Sequence, residues 1–156
     1  MSDFHLLLQE QIPSLMRYAA ALTRDPEQAA DLVEDTVREA LDHQRQCRGD
    51  IRVWLFTLLH DVRGNPFREM TLPAPVPRDP RARLTLSDLD RAMGELPEAQ
   101  RAVLLLIGLE GLSYADAASA LRITAATLRS RLSSARTNLR RLMGVASTRP
   151  NTRVAA

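Results

Sequence analysis

Hydrophobic residues recur at helical spacing along most of this chain, and no segment alternates in the manner of a β-strand. One apolar stripe runs from Phe4 to Leu22, a second from Ala29 to Leu41 and a third from Ile51 to Val62. Such stripes are typical of amphipathic helices that bury one face. The pattern therefore predicts an all-α fold.

Residues that start and stop helices divide the first part of the chain. Asp25-Pro26 supplies an N-cap acid and a first-turn proline, and Gly49-Asp50 and Gly64 bound the third helix. We predict that Pro13 opens a new helix rather than lying inside one, because proline lacks the amide hydrogen that a helix interior uses.

The second part of the chain carries its own start and stop signals. Thr85 or Ser87 is expected to cap a helix reaching Met93, and Pro97 to begin one that reaches Leu109. Gly111 then supplies a left-handed stop. Ser113 is predicted to cap a short helix over 114–121, and Thr124 to cap a last helix that ends near Gly144.

Four prolines between residues 70 and 83 exclude both a helix and a central strand in that stretch. We therefore predict two small helical domains, residues 1–69 and residues 85–144, with a flexible Pro-rich linker at residues 70–84 between them. The polar tail at residues 145–156 is predicted to be disordered.

Charge is distributed unevenly along the chain. Residues 1–69 carry twelve acidic residues and eight arginines, whereas residues 122–156 carry eight arginines and no acid. This asymmetry predicts one acidic and one basic partner surface.

The sequence offers little for catalysis. Cys47 is the single cysteine, and the three histidines, His5, His43 and His60, lack the spacing of a metal site. We therefore expect no catalytic residue, no metal and no cofactor. With no secretory signal and no apolar run approaching about 18 residues, we also expect a cytoplasmic protein without membrane insertion.

The order of elements between residues 94 and 143 is that of a helix-turn-helix DNA reader: support helix, turn, short helix, tight turn and basic helix. The last helix has an apolar stripe at Leu128, Leu132, Ala135, Leu139 and Leu142. Its opposite face carries arginines and hydroxyl groups that suit phosphates and base edges. In isolation such a face is more often the solvated side of a bundle helix. Its place after the short helix and the turn favours DNA.

Two blocks of the sequence, at about residues 14–68 and 88–143, resemble a known family. In the first block, residues 17–23 read Arg-Tyr-Ala-Ala-Ala-Leu-Thr, residues 30–36 Ala-Asp-Leu-Val-Glu-Asp-Thr and residues 54–59 Trp-Leu-Phe-Thr-Leu-Leu. In the second, residues 96–101 read Leu-Pro-Glu-Ala-Gln-Arg and residues 127–132 Thr-Leu-Arg-Ser-Arg-Leu. The blocks are similar to regions two and four of bacterial RNA polymerase sigma factors of the extracytoplasmic-function (ECF) group.

This resemblance implies a transcription initiation factor, often of a stress response, with three binding surfaces. The helix with Asp31, Glu34 and Asp35 is implied to dock on the β′ subunit of core RNA polymerase, with the β subunit as a further contact. The first domain is implied to hold the promoter −10 element as a single strand, through Arg52, His60, Asp61, Arg63, Asn65 and Arg68. The second domain is implied to read the −35 element through Ser113, Thr124, Thr127, Arg129, Ser130, Ser133, Ser134 and Arg136. An anti-sigma factor is the implied regulatory partner.

The chain departs from the family pattern at several of these positions. The family usually has Gln at Glu34 and Asn at Asp61, and a charge at Asp61 is expected to repel a DNA strand. A bulky residue and then Arg are frequent at Ser133 and Ser134, so weaker or altered −35 contacts are expected. Arg122 lies in the tight turn where Gly is common and where a positive φ is expected.

Three alternatives to a sigma factor follow from these features. A sigma-like mimic would sequester an anti-sigma factor without initiating transcription, and the departures at Asp61 and Ser134 motivate it. A plain helix-turn-helix regulator would leave residues 14–68 unexplained. An enzyme lacks any supporting motif, since adjacent His60 and Asp61 point to different sides of a helix and form no dyad.

Overall fold

The computed structural model describes residues 3–64 and 83–145, and within these ranges all regular structure is helical. Three helices form the N-terminal half (residues 3–64): α1 Asp3–Thr23, α2 Pro26–Asp42 and α3 Ile51–Arg63. Four form the C-terminal half (residues 83–145): α4 Leu86–Glu95, α5 Glu98–Leu104, α6 Tyr114–Leu121 and α7 Ala125–Leu142. The all-α prediction is confirmed; most of the predicted linker and tail lies outside the described residues.

Side-chain caps set the helix starts where the sequence predicted them. The Asp25 carboxylate accepts hydrogen bonds from the amides of Glu27 and Gln28 at the start of α2. Thr85 and Asp88 form a reciprocal capping box at the start of α4, which identifies Thr85 rather than Ser87 as the cap. Ser113 and Thr124 accept from the third amide of α6 and of α7. These caps position both helices of the helix-turn-helix.

The prediction that Pro13 begins a helix is wrong, because α1 continues through it as one helix of 21 residues. Proline at this position leaves the Gln9 carbonyl oxygen without its amide donor. Both Pro13 and Gln9 are exposed, so water can satisfy that oxygen. The apolar face of α1, buried at Leu8, Leu15 and Leu22, supplies the packing that keeps the helix continuous.

The segment before Gly111 is also less regular than predicted. The helix expected to reach Leu109 is α-helical only to Leu104 and ends in a π turn, Leu105–Leu109. Gly111 follows with φ +66°, as expected of a left-handed stop. A short 3₁₀ turn, Gln44–Gln46, was not predicted.

The two halves share one apolar core. In the N-terminal half, α1, α2 and α3 pack around Leu15, Tyr18 and Phe56. The same cluster continues into the C-terminal half through buried Leu106 and Leu128, and α6 packs directly against α3. The halves therefore lie against each other, and we call this arrangement the closed chain.

Arg101 is a buried polar link between the halves. Its guanidinium donates to the backbone oxygens of Met93 and Leu96 at the end of α4, at 2.9 and 3.0 Å, and also to the Leu22 oxygen near the end of α1. It thereby satisfies carbonyl groups that a helix end leaves without intrahelical partners. Burial lowers the pKa of Arg101 from its ordinary value.

Candidate nucleic-acid interface

The basic helix α7 presents a continuous polar face to solvent. Its predicted apolar stripe is turned inward, with Leu128, Leu132, Ala135 and Leu142 buried. All eight residues predicted to read the −35 element are exposed, namely Ser113, Thr124, Thr127, Arg129, Ser130, Ser133, Ser134 and Arg136. The structure thus leaves every residue of this predicted set accessible to solvent.

Two grooves divide the exposed face of α7. One, of about 360 Å³, runs beside Tyr114 and is lined by Arg129, Ser133, Arg136 and Arg140. The other, of about 570 Å³, lies between α5 and α7 and holds Thr127, Ser130 and Ser134. Three arginines therefore lie on the flank beside Tyr114, whereas hydroxyl groups line both grooves.

The arginines of the Tyr114 groove are free to bind an anion. Arg129, Arg136 and Arg140 make no hydrogen bond or ion pair with any residue of 3–64 or 83–145. Thr124 and Thr127, in contrast, bond to each other through their side chains at 2.9 Å. The flank that carries these three unpaired arginine side chains is the part of this face best suited to bind phosphate groups.

The tight turn before α7 has the backbone geometry that the sequence predicted. Arg122 adopts φ 54° and ψ 42°, in the left-handed region that favours glycine. Its side chain reaches the N-terminal half, where Nε and Nη2 each donate to one carboxylate oxygen of Asp61 at 2.8 Å. The hydrogen bonds and the charge of Asp61 raise the pKa of Arg122. Two positions that depart from the family pattern are therefore bound to each other.

Four of the residues predicted to contact the −10 element are described and lie on α3, and side chains of the C-terminal half bind three of these four. Arg52 donates to the carboxylate and the backbone oxygen of Glu110, and Arg63 donates to the Glu98 carboxylate at 2.8 and 3.1 Å. Asp61 is paired with Arg122, as described. Asn65 and Arg68 lie outside the described residues.

His60 is oriented by a buried tyrosine rather than displayed on the surface. The Tyr18 hydroxyl and His60 Nε2 are 2.6 Å apart, and the two rings pack edge to face with centroids 5.6 Å apart. Burial lowers the pKa of His60 to about 4, with Asp61 acting against the shift, so the imidazole is neutral near pH 7. Burial also raises the pKa of Tyr18 well above its ordinary value.

The acidic face of α2 is accessible on the side away from the core. Asp31, Glu34 and Asp35 are all exposed, while Ala29, Leu32 and Val33 on the same helix are buried. Arg38 pairs with Glu34 at 3.0 Å and with Asp35 at 3.4 Å. Because these pairs are exposed, they contribute little and leave the carboxylates available to a partner.

Glu110 is a central residue that the sequence did not single out. It is 4% exposed, and its carboxylate accepts from Arg17 at 2.7 and 3.1 Å as well as from Arg52 at 3.2 Å. Arg17 comes from α1 and Arg52 from α3, so three elements meet at one carboxylate. In the sequence, Glu110 is only an acidic residue before Gly111. Its ion pairs with Arg17 and Arg52 could not be predicted, because both arginines are distant in sequence.

The described residues contain no cluster of His, Cys, Asp or Glu able to hold a metal ion. Among the helices of 3–64 and 83–145, none combines the length and apolarity needed to span a bilayer.

Comparisons with known proteins match both halves of the chain. Residues 86–139 match the family model of sigma-70, region 4, and residues 8–60 match that of the sigma2 domain of PhyR. The ECF RNA polymerase sigma factor EcfG of Rhodopseudomonas palustris is 30% identical over 149 residues, covering 86% of this chain and 81% of that protein.

Solved structures support the same relationship. The sigma factor RpoE in complex with the anti-sigma factor NepR, from Bartonella quintana, superposes with a TM-score of 0.74 at 29% identity, covering 93% of this chain and 99% of that one. The anti-anti-sigma factor PhyR of the same organism, also complexed with NepR, shares the fold with a TM-score of 0.61 at 17% identity, over 85% of this chain and 48% of PhyR. These matches confirm the resemblance predicted from the sequence and the expectation that the chain is not an enzyme. The chain belongs to the ECF family of RNA polymerase sigma factors.

Proposed function

We propose that this chain binds core RNA polymerase in the cytoplasm and directs it to promoters, with the N-terminal half at the −10 element and the C-terminal half at the −35 element. The observation that carries the proposal is the exposed face of α7, where Arg129, Arg136 and Arg140 lack protein partners within the described ranges. An accessible helix with unpaired arginines at the end of a helix-turn-helix matches the geometry of major-groove reading.

The contact with polymerase is assigned to α2. Asp31, Glu34 and Asp35 form an exposed acidic face that would complement a basic surface on the β′ subunit. The β subunit would be contacted by other parts of the chain. A single chain would thus carry two weak DNA-binding surfaces and one polymerase-binding surface. Once one surface is bound, the effective concentration of the others at their own sites is raised.

Regulation by an anti-sigma protein forms part of this proposal. It is supported by the likeness to RpoE, which was crystallised with the anti-sigma factor NepR. A partner of that kind would bind the closed chain and keep it from polymerase.

The assignment of α2 is tested by measuring binding to core polymerase. The triple variant Asp31→Asn, Glu34→Gln, Asp35→Asn removes three charges without changing side-chain size. We expect binding to weaken by at least about tenfold, since charge pairs across an interface contribute strongly to association. Glu27→Gln, also exposed on α2, is the matched control and should bind as the unaltered chain does. Equal binding by the triple variant would refute the assignment.

A second candidate function, a sigma-like mimic that sequesters an anti-sigma factor, is favoured by one observation. The N-terminal half matches the sigma2 domain model of PhyR, and PhyR is an anti-anti-sigma factor. The two candidates differ in one result: a mimic binds an anti-sigma protein but supports no promoter-specific transcript. The unpaired arginines of α7 favour the sigma factor, because a mimic has no need of a DNA-reading face.

A further inference from the structure

The groove between α5 and α7 differs in chemistry from the groove beside Tyr114. Its uncharged polar lining consists of one amide and three hydroxyl groups, and we call it the donor groove: Gln100, Thr127, Ser130 and Ser134. Arg131 is the only charged residue among its lining residues; it is half-buried and already interacts within the protein. One flank of α7 is therefore strongly cationic, whereas the other offers mainly uncharged polar groups.

A hydrogen bond from α7 fixes the orientation of the Gln100 amide. Asn138 Nδ2 donates to Gln100 Oε1 at 2.9 Å, and both side chains are half-buried. Because the oxygen of the planar Gln100 amide accepts this bond, its NH₂ group lies on the opposite side. That NH₂ group donates to no residue of 3–64 or 83–145. Asn138 thus leaves two N–H donors of Gln100 available to the donor groove.

The hydroxyl groups of α7 add further donors. Thr124 Oγ1 donates to Thr127 Oγ1 at 2.9 Å, so Thr127 accepts in this bond and keeps its own proton for another partner. Ser130 and Ser134 follow at three and seven positions beyond Thr127, on the same helix face. Their hydroxyl groups bond to none of the described residues. The donor groove therefore presents N–H and O–H groups, and no carboxylate lies among its lining residues.

A helix seated in the major groove of DNA has a phosphate backbone on each side. The major groove is about 12 Å wide, and an α-helix with its side chains is about 10–12 Å across. Side chains at the outer edge of the helix then face the bases, while those on its two flanks face the two backbones. Phosphate oxygens accept hydrogen bonds from amide and hydroxyl groups as well as from arginine. The two flanks of α7 can therefore each bind one strand.

We propose that the donor groove binds a backbone phosphate of the strand opposite to the one bound by Arg136 and Arg140. Gln100 contacts the DNA directly, and Asn138 is the residue that positions it. The inference rests on the proposed function, because it takes α7 to enter the major groove of duplex DNA. It adds a contact from the support helix α5 to those of the reading helix. The two strands are then bound by different chemistry, charged on one and uncharged on the other.

Gln100→Met is the informative variant, because methionine keeps the length of the side chain and removes both amide donors. The full chain is titrated into two fluorescein-labelled duplexes, one with the native upstream region of the gene and one with that sequence scrambled. We expect binding to weaken about three- to tenfold on both, the effect of one lost hydrogen bond to a phosphate. Gln9→Met, exposed on α1, is the matched control and should bind as the unaltered chain does. Thermal unfolding of each variant verifies that it is folded.

The dependence of affinity on salt separates the two flanks. Loss of one charged phosphate contact reduces the slope of log K against log salt concentration by about 0.9. Arg136→Gln should show this decrease. Gln100→Met should weaken binding and keep the slope of the unaltered chain, because an uncharged donor neutralises no phosphate.

A double-mutant cycle tests the positioning role of Asn138. Asn138→Leu, of similar shape, removes the bond to Gln100 and should weaken binding to both duplexes about two- to fivefold, less than the loss of the Gln100 amide itself. In the Gln100→Met background the same change should have no further effect, since no amide is left to orient. Equal losses in the two backgrounds would show that Asn138 serves only the packing of α7, and would overturn its positioning role.

Undiminished affinity of Gln100→Met for both duplexes would overturn the proposal. A loss confined to the native duplex would also overturn it, because Gln100 would then read a base, as would a loss with a reduced salt slope. Run-off transcription by the unaltered chain reports the proposed function separately. A chain that yields no defined transcript while the variants bind as expected loses the sigma function and keeps the donor groove. A chain that transcribes while Gln100→Met binds as it does keeps the sigma function and loses the donor groove.

Discussion

At the scale of single residues, Arg122 combines a left-handed backbone in a tight turn with a side-chain contact to a distant part of the chain. The left-handed backbone of Arg122 follows from its place in a tight turn, and the caps at Asp25, Ser113 and Thr124 follow from residue type. The partner of Arg122 is Asp61, 61 positions away, and no local rule links the two. Asp61 was expected to repel DNA, whereas in the closed chain its charge is matched by an arginine.

Arg129 is the residue whose loss reports base reading most directly. It is exposed, unpaired within the described ranges and placed in the first turns of α7. Arg129→Ala is expected to weaken binding to duplex promoter DNA by about 1–3 kcal/mol if the side chain reads a base. Titration by fluorescence anisotropy measures the change, and exposed Arg45→Ala serves as control. An affinity equal to that of the unaltered chain would exclude Arg129 as a reader.

His60 predicts how stability depends on pH. Its pKa is 6.5 in its ordinary state and about 4 in the folded chain, so between these values the unfolded chain binds a proton that the folded chain does not. Stability therefore falls as pH decreases from about 7 to 4, by up to about 3 kcal/mol, and this contribution stays constant below pH 4.

Urea unfolding at a series of pH values tests the role of His60. His60→Gln keeps a partner for the Tyr18 hydroxyl but cannot be protonated, so its stability should fall less steeply than that of the unaltered chain. His43→Gln, on the more exposed C-cap of α2, should retain the steep dependence. An equally steep slope in His60→Gln would mean that other groups cause the acid sensitivity.

At the scale of elements, helix positions were predictable from amphipathic stripes and, for five of the seven described α-helices, from a side-chain cap. The wrong helix predictions concern positions where tertiary packing overrides the local conformational preference of the residue. Proline generally breaks helices, but the buried apolar face of α1 keeps this helix continuous on both sides of Pro13. The π turn at Leu105–Leu109 was invisible to the pattern, because one wider turn does not change which residue types occur. That turn immediately precedes Glu110, whose carboxylate pairs with Arg17 and Arg52 of the other half.

The uninterrupted α1 predicts a stabilising substitution. Pro13→Ala restores an amide donor for the Gln9 carbonyl oxygen at an exposed position and removes the proline ring from the helix interior. We expect a gain of about 1–3 kcal/mol in the free energy of unfolding, somewhat less than the full cost of a mid-helix proline. Thermal and urea unfolding measure it, with exposed Glu10→Ala in the same helix as control. A loss of stability would show that Pro13 has a favourable role in α1.

At the scale of the whole molecule, the sequence indicated two helical domains and left their arrangement open. Composition separates the acidic first part from the basic last part, and prolines mark the stretch between them. The shared core was not predictable, because Leu106 and Leu112 carry no sign that they meet a helix of the other half. The same holds for Glu110, whose burial depends on arginines from α1 and α3.

The proposed function requires that this chain give promoter specificity to RNA polymerase. Run-off transcription with core polymerase, on a template that carries the native upstream region of the gene, measures this property. We expect a transcript with a defined start that appears only when the chain is added, and that decreases with Arg129→Ala but not with Arg45→Ala. Tight binding to core polymerase without a defined transcript would exclude the sigma function and leave the mimic as the better description.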